Sequence, residues 1–356
     1  MSAPSILLVL FYSHFGTIED SARLGLAYAA VAPVQLLLSM QHSSLILANS
    51  KSWDDCLKVR IRASWIGIII LGVFAIYTKE LSIIAVALFR AGDFFYEPLF
   101  YSRVKNGLFK IAFSEAFIRF VFFVGTLSAI FSEDVRDLSF SIFILALFNC
   151  IITIAIFIVN TDLKLWPING GALSDVILGV GAFIASISVN IPRYVLVGAE
   201  PLDLAFYSNM LTCLLGGSLI YTTLSNMLFS EMADAGIYGL RRYLGFSVLI
   251  AFFGAAMSLS LFVFSDKILL FLTKMVLGEK YVLYSHLVPY FLVFFFLLFL
   301  QHTVNSIYVA LHFKFSVLYF NLIYAGLLLF FLVFIANNTA YDIIRITVLV
   351  TSALLC

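Results

Sequence analysis

Apolar runs separated by short polar connections fill nearly all of this sequence, and that pattern leaves few folds open. The runs fall at about 3–15, 24–48, 63–78, 81–103, 111–131, 138–160, 173–197, 204–229, 244–265, 284–311, 314–336 and 341–356. Most reach the roughly 20 residues needed to cross a hydrocarbon layer, while the first, third and last are short. In lipid a segment must satisfy its own backbone hydrogen bonds, so each run is expected to be a helix. With 63% hydrophobic and only 12% charged residues, a water-soluble fold would be wrapped in a continuous apolar surface. The expected fold is an all-α membrane protein of about 12 transmembrane helices. Its longest connection, about 266–283, is half apolar, and no loop is long enough for a folded domain outside the membrane.

Pro167 and the pair Gly170–Gly171 punctuate the connection after residue 160. They predict an N-lobe of helices 1–6 over 1–161, a cytoplasmic linker over 162–172 and a C-lobe of helices 7–12 over 173–356. The halves echo one another: with Ala48 set against Ser230, Arg60 falls on Arg242. Two parallel repeats related by a pseudo-two-fold axis along the membrane normal would place a transport path between lobes. Alternating loops carry eleven basic residues on one side, Arg60 and Arg103 among them, and seven on the other. The richer side is expected to be cytoplasmic, which puts both termini inside. The short first run and the apolar last one suggest that one or both termini are clipped.

A net charge of +1 gives no reason to expect a nucleic-acid partner. Cys56, Cys150, Cys213 and Cys356 are scattered without metal-ligand spacing and read as small buried hydrophobes. There is no GxSxG, HExxH or Walker loop, and no GxGxxG in the right setting, so neither an enzyme nor a cofactor is implied.

Charge inside the bilayer is the most informative remainder, since each such group costs at least about 2.5–3.5 kcal/mol on insertion scales. Arg90, Asp93 and Glu97 share a face of the fourth helix at i, i+3, i+7, and Glu115 and Arg119 share one of the fifth at i, i+4. At ~1.5 Å per residue, Arg119 comes level with the two fourth-helix acids. Two readings stay open: an ion-pair ladder that welds the hairpin, or the wall of a hydrated cavity. Three carboxylates against two arginines exceed what a weld requires, and a carboxylate there could exchange a proton. Arg193 follows Pro192 near the outer end of the seventh helix; it either binds a ligand or snorkels to the interface. Gln35, Ser39 and His42 share a face of the second helix, and Gln301, His302 and Asn305 lie on the tenth. Such faces serve as interhelical glue or as a sugar-facing wall.

The segments LGLAYAAVAPVQLLLSMQHSSLILAN, RAGDFFYEPLFYSRVKNGLFKIAFSEAFIR and NIPRY followed by LAFY resemble bacterial polysaccharide-unit flippases. These are the O-antigen and capsule translocases of the MATE-like exporter superfamily. The resemblance implies translocation of an undecaprenyl-pyrophosphate-linked oligosaccharide from the inner to the outer leaflet of the cytoplasmic membrane. It implies alternating access, H+ or Na+ coupling in some members, and partnership with polysaccharide assembly proteins. Arg90, Arg119 and Arg193 would then attract the pyrophosphate or acidic sugars, and Asp93, Glu97 and Glu115 would balance them or carry protons. A membrane glycan polymerase or ligase would need a long outer loop that is absent here, and a multidrug exporter would be expected to have a cavity without arginines.

Overall fold

The computed structural model describes residues 3–40, 42, 46, 52–132, 137–160, 173–233, 235–264, 266–311, 313–335 and 339–355. The expected linker 162–172 lies outside them. Among the described residues there are 13 α-helices. They are α1 (Ala3–Phe15), α2 (Ile18–Ser39), α3 (Trp53–Thr78), α4 (Leu81–Lys105), α5 (Phe109–Ser132), α6 (Leu138–Asn160) and α7 (Leu173–Val195), then α8 (Pro201–Ala233), α9 (Gly236–Phe264), α10 (Asp266–Val276), α11 (Val288–Ala310), α12 (Lys314–Ile335) and α13 (Ala340–Leu355). Short 3₁₀ helices occupy Leu196–Gly198 and Glu279–Leu287.

Eight stretches of helix are long and apolar enough to cross a membrane among the described residues. Their outer surfaces fit that medium: on α3, Trp65, Ile69, Ile76 and Tyr77 are 65–85% exposed. In water such a stripe would be an association hazard, whereas acyl chains solvate it at no loss. The chain is a multi-pass membrane protein.

Of the boundaries that differ from the sequence expectation, two have a clear local reason. The third helix is 26 residues long and begins at Trp53, not near 63. Ser52 is its N-cap: its hydroxyl oxygen accepts from the Asp55 amide at 3.2 Å, and Asp54 and Asp55 lie in the first turn, where they complement the helix dipole. The connection expected at 266–283 is itself mostly helical, supplying α10 and the 3₁₀ turn. Asp266 starts α10 and Lys274 lies in its last turn, again matching the dipole.

The chain divides into two compact units, Ala27–Ser186 and Met1–Leu26 with Ile187–Cys356. In the first, α4 packs most extensively on α6 and also contacts α3 and α5. A tight turn reverses the chain between α4 and α5; Gly107 takes φ +73° there, a region that glycine enters freely. In the second unit, α9 packs on α11, α11 also meets α8 and α13, and α1 lies against α8. Its core gathers Phe206, Tyr207, Tyr281, Phe291, Phe294 and Ile343, all buried.

Candidate substrate and coupling site

The charged groups of the Ala27–Ser186 unit converge on α4. Arg119 of α5 meets Asp93 at 2.5 Å and Asn149 Oδ1 of α6 at 2.7 Å. Asn149 also donates to the Phe89 carbonyl at 2.7 Å, so one amide ties α4, α5 and α6 together. This works because residue 92 is glycine: a Cβ there would sit 2.7 Å from Asn149 Nδ2. The Arg119 guanidinium lies 4.6 Å from the centre of the Tyr96 ring. The Tyr96 hydroxyl donates to Glu115 at 2.9 Å, and Glu115 is ion-paired with Arg103. The result is a continuous chain of contacts, Asp93–Arg119–Tyr96–Glu115–Arg103, in which Glu115, Arg103 and Arg119 are all buried.

A second pair lies on the same helix. Arg60 of α3, with a fully buried side chain, donates to Glu97 at 2.8 Å and to the Phe94 carbonyl at 2.5 Å. It also stacks 4.8 Å from the Phe94 ring centre. Glu97 keeps 36% of its side chain exposed and Asp93 24%, against 8% for Glu115.

These contacts correct the expected charge balance. The sequence places Arg60 and Arg103 in cytoplasmic loops; instead, α3 begins early enough to include Arg60, and Arg103 lies within the last turn of α4. The three carboxylates Asp93, Glu97 and Glu115 thus meet three arginines, and the surplus is cationic. The surplus group is Arg90. It is half-buried, lies 5.9 Å from the Tyr28 ring centre, and its Nη1 has no hydrogen-bond partner among the described residues. Glu115, expected beside Arg119 on α5, takes Arg103 as its ion-pair partner.

The other unit treats its charge differently. Arg193 on α7 is 1% exposed, so it does not snorkel. Its Nη1 donates to Asn190 Oδ1, and its Nη2 to the Ser208 carbonyl and to Thr212 Oγ1, each at 2.8 Å. All three acceptors are neutral, no carboxylate is within ion-pair distance among the described residues, and Nε is left without a partner there.

The polar faces divide as well. Gln35 is half-buried, Ser39 donates to the Leu36 carbonyl of its own helix at 3.0 Å, and His42 is fully buried. Gln301 donates to Asn321 at 3.3 Å and so links α11 to α12. His302 and Asn305 are half-buried, and Asn305 Oδ1 has no partner among the described residues.

Sequence reasoning missed Arg60, Arg103, Tyr96 and Asn149. Two signals were available. Ser52-Trp-Asp-Asp55 is a capping-box pattern that starts a helix before Arg60, and Asn149 is an amide within the apolar run LALFNCIITIAIFIV, where a polar group needs a partner.

No known family profile matches the chain, and neither does any curated protein. Solved structures do share its fold. One is the inward-facing conformation of a multidrug resistance MATE family transporter of the MOP superfamily. It aligns with TM-score 0.65 and 12% identity over 100% of this chain and 92% of that one. The outward-facing conformation of a multidrug resistance MATE family transporter aligns with TM-score 0.62 and 13% identity over 98% of this chain and 88% of that one. The chain therefore has the fold of MATE family transporters, and at these identities the likeness is one of fold.

Proposed function

We propose that this protein is a flippase that carries a pyrophosphate-linked oligosaccharide lipid, of the undecaprenyl type, between the leaflets of a bacterial cytoplasmic membrane. It would work by alternating access between six-helix lobes over 1–161 and 173–356, with both termini in the cytoplasm. The observation that carries this reading is Arg193. A guanidinium that is 1% exposed and, among the described residues, meets neutral acceptors carries its positive charge in a low-dielectric setting, where an anion is strongly attracted. In the other unit, Arg90 is a guanidinium without an ion-paired carboxylate among the described residues, although Asp93 and Glu97 act on it electrostatically. Arg119, in the same unit as Arg90, would be free to meet an anion only when its pair with Asp93 opens.

Glu97 and Asp93 are the carboxylates a proton or Na+ could reach, since Glu115 is enclosed by Arg103 and Tyr96. Gln35, Ser39, His42, Gln301, His302 and Asn305 would offer amide, hydroxyl and imidazole groups to sugar hydroxyls during the cycle. Polysaccharide assembly proteins would supply and receive the lipid.

The test is translocation by the purified chain in proteoliposomes, followed as the transfer of a pyrophosphate-linked oligosaccharide lipid to the leaflet where an added lectin reaches it. Wild type should move it, Arg193→Gln should slow it at least tenfold, and Arg193→Lys should recover part of the rate. Undiminished movement with Arg193→Gln would remove the site assignment. A second reading, a multidrug exporter, is favoured by the two similar structures, both multidrug resistance transporters. Uptake of cationic dyes without movement of the glycolipid would establish it instead.

A further inference from the structure

The helix α10 belongs to none of the sites above. It has 11 residues, hence a length of ~16 Å, about half the ~30 Å hydrocarbon layer. It lies in sequence between two apolar stretches long enough to cross the membrane, Gly236–Leu261 and Glu279–Tyr308. A helix this short cannot cross the layer, and it joins two consecutive spans.

Its residues sort into three faces. Leu269 and Thr273 are buried, as is Leu277 just beyond the helix, at i, i+4, i+8. Lys267 and Lys274 lie seven positions apart on a second face and are exposed. The third face carries Ile268, Phe271, Leu272 and Met275 at i, i+3, i+4, i+7, the spacing of one helical stripe. Ile268 is 49% exposed, Phe271 62% and Met275 67%. One face is thus held by the protein, one carries the two lysines with Leu270, 45% exposed, between them, and one is wholly apolar and uncovered.

We infer that α10 is an interfacial helix whose Ile268–Phe271–Leu272–Met275 stripe is seated in the membrane surface, with Lys267 and Lys274 at the level of lipid phosphates. Charge favours this occupant. Lysines outnumber acids in the segment 266–280, three against two. Lys274 shares its charge with Glu279 at 2.7 Å and Lys280 donates to the Gly16 carbonyl, which leaves the exposed Lys267 as the lysine most open to a phosphate. Helices that combine an apolar stripe with flanking lysines sink ~5–10 Å below the headgroup surface. The seat would fix the height of the connection between α9 and α11, and it stands independently of what the protein transports.

The test uses the full chain, with Cys56, Cys150, Cys213 and Cys356 changed to Ser, in vesicles of phosphatidylethanolamine and phosphatidylglycerol. Nitroxide labels are placed at Lys267→Cys, Phe271→Cys, Lys274→Cys and Met275→Cys. Collision with dissolved oxygen should exceed collision with a water-soluble nickel chelate several-fold at 271 and 275, with the order reversed at 267 and 274. Equal chelate access at all four sites would overturn the seat. So would labels at 271 and 275 shielded from both reagents and broadened by a neighbouring spin, because a second copy of the chain would then cover the stripe. In the chain with its native cysteines, Phe271→Trp should be quenched by lipids brominated near the headgroup more strongly than by lipids brominated at the chain end. No added quenching relative to wild type would likewise overturn the seat.

Discussion

The two compact units bury arginine in opposite ways. In Ala27–Ser186, Arg60, Arg103 and Arg119 each meet a carboxylate. In the other unit, Arg193 is as deeply buried and meets an amide, a hydroxyl and a backbone carbonyl. A buried pair cancels its field and becomes an internal strut; removing one partner strands the other charge. A buried guanidinium held by dipoles keeps its field, and its removal relieves a desolvation penalty. Pairing, more than depth, separates arginines that hold the fold from arginines able to hold an anion. The same contrast runs through the sequence echo: Arg60 is fully buried while Arg242, its counterpart, is exposed.

The largest effect belongs to the tightest strut. Glu115→Ala should lower unfolding stability in detergent by about 3–5 kcal/mol by leaving Arg103 buried and unpaired. Replacing both partners, Arg103→Met with Glu115→Leu, should return most of the loss; a double variant as unstable as the single one would refute the strut. Next comes Arg60→Ala, which removes a charge-assisted bond worth about 1.5–3 kcal/mol. Glu97 is 36% exposed, so the effect should fall toward the low end. Arg242→Ala should stay within about 0.5 kcal/mol, as exposed positions do. Equal losses from these two variants, compared by thermal unfolding, would erase the asymmetry. Gly92→Ala should cost about 1–3 kcal/mol by pressing a methyl onto Asn149. In that variant Asn149→Ala should add little, because one packing contact underlies both.

How much of this was legible in the sequence depends on the scale of the feature. Membrane class and most helices follow from apolar run length, because the bilayer sets one length for every span. The alignment of Arg119 with Asp93 also follows, since a short turn and a fixed rise per residue set the register of a hairpin. The pairing of Glu115 with Arg103 does not. Arg103 looks like a loop residue until the end of α4 is known to run to Lys105, and the side chain reaches back along its helix. Arg60 was hidden for a related reason: three basic residues at 58, 60 and 62 read as a cytoplasmic loop unless the Ser52 cap is given weight. The neutral partners of Arg193 come partly from α8, 15 and 19 residues further on, and no periodicity reports such contacts.

The smallest stability effect carries the central claim. Arg193→Gln should change unfolding stability little, because the desolvation relieved when the charge leaves the interior offsets the hydrogen bonds lost to Asn190, Ser208 and Thr212. The decisive measurement is the affinity of a pyrophosphate-linked oligosaccharide lipid for the full chain in nanodiscs, for wild type, Arg193→Gln and the Arg103→Met, Glu115→Leu double variant. The account predicts a loss of at least about tenfold for Arg193→Gln, from a charge-assisted contact worth about 1.5–3 kcal/mol, and little change for the double variant. Affinity that is indifferent to Arg193, or that falls equally with the Arg103–Glu115 pair, would contradict it.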